Sequence, residues 1–63
     1  MKPAILYRHP EGRGVVVADP AHHRLIVSSD DEASTVTVCI GPDGLRALAE
    51  KLRETADVME VVQ

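Results

Sequence analysis

Apolar and polar positions alternate most cleanly between Thr35 and Ile40. Val36, Val38 and Ile40 share one side, and Thr35, Thr37 and Cys39 share the other. A period of two built largely from β-branched residues predicts a half-buried strand. Gly41-Pro42 ends it, since proline cannot donate to a ladder but suits the first position of a helix. The period then changes. Leu45, Leu48, Ala49, Leu52, Ala56 and Met59 recur three and four residues apart, which is one apolar helical stripe. Arg46, Glu50, Lys51, Arg53, Glu54 and Asp57 occupy the remaining surface. Asp43 sits in the first turn, where a carboxylate meets the positive end of the helix dipole. Gly44 weakens the helix by about 1 kcal/mol relative to alanine.

Upstream the pattern predicts three more strands, at residues 4–8, 15–18 and 23–28, before the fourth at 35–40 and a helix at 42–59. The breakers between them are His9 to Gly14 and Asp19 to His22, followed by an acidic loop over 29–33. Gaps this short join antiparallel strands, because a parallel crossover needs a dozen residues or more. The expected fold class is α+β: a four-stranded antiparallel meander covered on one face by a single C-terminal helix (ββββα), in one domain spanning 1–63. Residues 60–63 fit either a continued helix or an edge strand.

The period of two also predicts the faces. A loop centred near Asp31 pairs Val27 with Val36. A two-residue turn at Pro20-Ala21 pairs Val16 with Leu25, and a loop centred on Glu11 pairs Leu6 with Val16. Leu6, Val16, Ala18, Leu25, Val27, Val36, Val38 and Ile40 then share the side expected to take the helix. Ile5, Tyr7, Val15, Val17, Ile26, Thr37 and Cys39 share the other, with Arg24 and Thr35 at its margin. That second side is too apolar for water, and a contiguous apolar patch marks an interaction surface. It is the expected dimer interface, with two sheets packed face to face.

Size strengthens this expectation. The chain has 63 residues, no Trp or Phe, and Tyr7 as its one aromatic. A domain of this length buries only about 60% of the surface its unfolded chain exposes. Small chains compensate with disulfides, a metal or oligomerisation, and one cysteine excludes an intrachain disulfide. A homodimer is the expected state.

The net charge is −3, with +2 over residues 1–27 and −5 over residues 28–63. An acidic chain without an aromatic stacking platform is not expected to read nucleic acid. No segment approaches the ~20 apolar residues of a membrane span, and the N-terminal pattern lacks the apolar run of a signal peptide. The expectation is a cytoplasmic protein with no membrane contact.

Candidate chemistry adds little. His22 and His23 are adjacent, so on a strand they point to opposite sides and cannot chelate one ion. Asp30, Asp31 and Glu32 lack the spacing of a calcium loop and read as a solvated turn. Cys39 faces Arg24 rather than a base, so it reads as a small interface hydrophobe. No phosphate loop, Ser-His-Asp spacing or Cys-x-x-Cys pair is present. No catalytic residue, metal or cofactor is therefore expected, and the protein is read as a non-enzyme. Tyr7, Arg8, Arg13, Arg24, Asp30, Asp31 and Glu32 are the polar candidates for contacting a ligand or partner.

The strand and GPDGLRALAEKLRETAD segment over residues 36–57 resembles the C-terminal halves of small orphan accessory proteins of high-GC phages and prophages. The resemblance is one of composition and covers about a third of the chain. It implies a small factor that binds and inhibits or regulates a bacterial protein, of the anti-defence class, and it transfers no catalytic residue. The alternative is a small-molecule or nucleotide-binding module at a dimer interface, with Tyr7, Arg8 and Arg24 as polar contacts. A structural or assembly subunit is a third reading.

Overall fold

The computed structural model describes residues 2–29 and 34–62. Four strands, β1 (Ala4–Arg8), β2 (Gly14–Asp19), β3 (Arg24–Ser29) and β4 (Thr35–Cys39), precede one helix, α1 (Pro42–Val62). The strands form a single antiparallel sheet in the order β1-β2-β3-β4. The ββββα α+β class is the one the sequence predicts. Residues 60–62 continue the helix.

Each break has a local cause. After β1, the His9 amide donates to the Gly14 carbonyl and the Gly12 amide to the His9 carbonyl. Gly14 enters β2 at φ 150°, with the Ser28 carbonyl oxygen only 3.1 Å from where a Cβ would stand. Between β2 and β3, Pro20–His22 is one 3-10 turn, closed by His23 in the left-handed region at φ 51°. Beyond β4, the Ile40 amide still bonds the His23 carbonyl at 2.8 Å, and the Leu45 amide then reaches back to the Gly41 carbonyl. Gly44 answers a steric need there. A Cβ on it would stand 3.0 Å from Ile40 Cγ1, so its lack of a side chain lets the first helical turn close against the end of β4.

Three expectations of register and packing are corrected. The connection from Pro20 to His23 is four residues rather than two, so Ala18 rather than Val16 lies opposite Leu25, and Val16 lies opposite Val27. The slip is two residues, so the sides are unchanged. In β1 the expected pairs Ala4–Ala18 and Ile5–Val17 form, but a bulge follows and Tyr7 rather than Leu6 opposes Val16. A bulge sets two residues against one and changes the side that follows. Leu6 therefore has no direct partner, and Tyr7 moves to the side of Val16.

The third correction concerns α1, which does not cover a sheet face. The close packing in the chain is strand against strand. No helical residue is buried, and the apolar side chains Leu52 and Met59 are 59% and 62% exposed. At the sheet end, Leu45 lines a small hollow together with Ala18, Leu25, Ile40 and Pro42. Only Ile40 and Gly41 lie between β4 and α1, and the helix runs on from the sheet end without burying a residue against either face.

Candidate functional site

The observed pairing divides the sheet into two unlike faces. On one, two rows cross all four strands: Ala4-Ala18-Leu25-Val38 and Tyr7-Val16-Val27-Val36. Both rows are apolar throughout, and Tyr7, Val27, Val36 and Val38 are exposed. We call this the apolar face. The other face carries the row Ile5-Val17-Ile26-Thr37, flanked by Asp19-Arg24-Cys39 on one side and Arg8-Val15-Ser28-Thr35 on the other. We call this the mixed face. Val15, Val17 and Ile26 are half-buried there, and Ser28 Oγ and Thr35 Oγ1 stand 3.3 Å apart across the ladder.

Six of the seven residues expected at the dimer interface thus share the mixed face: Ile5, Val15, Val17, Ile26, Thr37 and Cys39. Tyr7 does not, because the bulge places it opposite. Cys39 faces Arg24 as expected, with its thiol exposed. Tyr7, Arg8 and Arg24 do not converge. Arg8 and Arg24 lie at opposite ends of the mixed face and Tyr7 on the other side of the sheet. Arg13 lies in the turn before β2, beside the open groove it forms with Tyr7, His9, Val27 and Val36. Asp30, Asp31 and Glu32 lie outside the described residues.

The one buried residue among those described is Asp19, at 6% exposure. Arg24 Nη2 donates to its Oδ2 at 2.6 Å, and His22 Nδ1 lies 3.0 Å from the same oxygen. The Arg24 hydrogen bond is the main reason the carboxyl is held below its ordinary value of 3.8; burial opposes this, and His22 adds to the lowering. The sequence marks Asp19 as a turn residue but does not pair it with Arg24. The missed signal is Arg24 five positions on, which a four-residue connection places directly opposite it. The cluster locks the β2–β3 turn. His22 and His23 are both exposed, and no group of metal-ligating side chains exists among the described residues.

A depressed carboxyl value means that the folded state binds its proton less readily than the unfolded chain. The resulting stabilisation is complete above the ordinary value and is lost as pH falls through the lowered one. Asp19→Asn should therefore melt lower than the parent at neutral pH. The gap should close progressively below about pH 3.8. Thermal melts of both proteins over an acid pH series measure this, and a gap that persists unchanged in acid would contradict the assignment.

Comparison with family models, curated proteins and solved structures finds no match. No helix among the described residues is long and apolar enough to cross a membrane.

Proposed function

We propose that this is a small non-enzymatic binding protein that completes its core by pairing with a second copy, and that the pair acts by binding another protein. The observation carrying the reading is that no hydrophobic side chain is buried among the described residues. Ordering a residue's backbone costs about 1–2 kcal/mol, and the single chain offers no buried core to offset it. The exposed area supports the same reading. The chain exposes 5281 Å², about 1,300 Å² more than a compact monomer of its mass is expected to show. Covering that surplus on both members of a pair removes about 2,700 Å² in total, within the size range of obligate homodimers.

The narrower proposal, a phage-type inhibitor or regulator of a bacterial protein, rests on the composition of residues 36–57. A tagged copy incubated with bacterial lysate should retain one dominant protein through a high-salt wash. Thermal melts against a nucleotide panel address the alternative, because a ligand that binds only the folded state raises the melting temperature. No shift is expected, since Tyr7, Arg8 and Arg24 are dispersed over the sheet. A reproducible shift with one nucleotide, and no retained protein, would reverse the order of the two readings.

A further inference from the structure

We infer that the apolar face of each sheet is covered by the α1 stripe of the second copy, in a reciprocal exchange of helices. This rests on the reading that the protein pairs with itself, and it names the surfaces that meet. Two apolar surfaces of one chain lack partners: the rows through Val16 and Val27, and the helical stripe through Leu52 and Met59. Sheet-to-sheet pairing through the apolar face would leave the stripe in water. Helix-to-helix pairing would leave the face bare. Exchange covers both with a single two-fold operation, in which the same two patches meet twice.

Dimensions and charge agree with it. At 1.5 Å per residue the 21-residue helix is about 31 Å long. A four-stranded sheet of 5- and 6-residue strands is roughly 20 Å along its strands and 15 Å across them, so one helix laid obliquely spans the face. Beyond Arg53 the helix carries Glu54, Asp57 and Glu60 and no basic residue. Outside the mixed face, where Arg8 lies, the β1 side of the sheet is basic, with Lys2 and Arg13 against Glu11. These charges favour the acidic end of α1 over the partner's β1 edge, and like-charge alternatives are disfavoured. α1 buries no residue against its own sheet, which leaves its stripe free to meet another.

Disulfide trapping tests the exchange. In a Cys39→Ser background, one chain carries Val27→Cys and a second carries Leu48→Cys, Leu52→Cys or Ala56→Cys. The two are refolded together, checked for helix and strand by circular dichroism, and oxidised. A disulfide forms only where Cα atoms come within about 7 Å. The expected result is a mixed-chain disulfide as the main product for at least one helix position. Placing both cysteines on one chain should give linked dimers, not internally closed single chains. Internal closure would overturn the inference, as would self-linkage of Val27→Cys chains without any mixed product. Sedimentation of the same samples separates the two levels. Folded dimers without mixed disulfides overturn the exchange and leave self-pairing standing, whereas folded single chains overturn both.

Discussion

Val36→Asp should abolish the folded assembly at micromolar concentration. Val36 lies on an edge strand and is 60% exposed in the single chain. If that chain were the working unit, an aspartate there would stay in water and cost only strand propensity, within about 1 kcal/mol. Under the apolar face of a dimer the same carboxylate is desolvated without a partner, twice per pair, at several kcal/mol each. The two accounts therefore differ by far more than the error of a melt. The expected outcome is loss of the cooperative thermal transition. Thr37→Asp is the matched control. It sits on the same strand but on the mixed face, and it should leave the transition within a few degrees of the parent. The reverse pattern, a neutral Val36→Asp and a disruptive Thr37→Asp, would move the interface to the face of Ile5, Val17 and Ile26.

The second large effect is a melting temperature that depends on protein concentration. For a chain that folds only as a pair, dilution favours the unfolded state by mass action. With an unfolding enthalpy of about 0.7 kcal/mol per residue, counted over both chains, each tenfold dilution should lower the midpoint by about 5 °C. A self-sufficient monomer shows no such slope. Differential scanning calorimetry or circular dichroism over a hundredfold range in concentration measures it, and a shift near 10 °C is expected.

Much of the fold was legible because local signals agreed. Val36 and Val38 alternating with Thr35 and Thr37, then Gly41-Pro42, fix β4 and the start of α1 from sequence alone. The β1 register was not legible. Ile5-Leu6-Tyr7 is apolar at three consecutive positions, so alternation carries no sign of the bulge that moves Tyr7 to the opposite side. The β2–β3 turn was misjudged by two residues because Asp19-Pro20 signals a turn but not its length. The sides survived because a slip of two preserves them. The α1 stripe revealed that a helix needs a cover but could not say which chain supplies it. Periodicity is blind to the direction in which α1 leaves β4 and to what the helix meets beyond it. The Asp19–Arg24 pair escaped notice for a related reason, since a cross-strand neighbour appears only once the register is known.

These points converge on whether one chain is a complete folding unit. Sedimentation equilibrium of the unmodified protein at low micromolar concentration, with circular dichroism on the same samples, asks this most directly. The account predicts twice the mass of one chain wherever strand and helix signals are present, and loss of those signals as dilution drives the mass down to that of one chain. A single-chain mass with the full signal and a cooperative melt would contradict it.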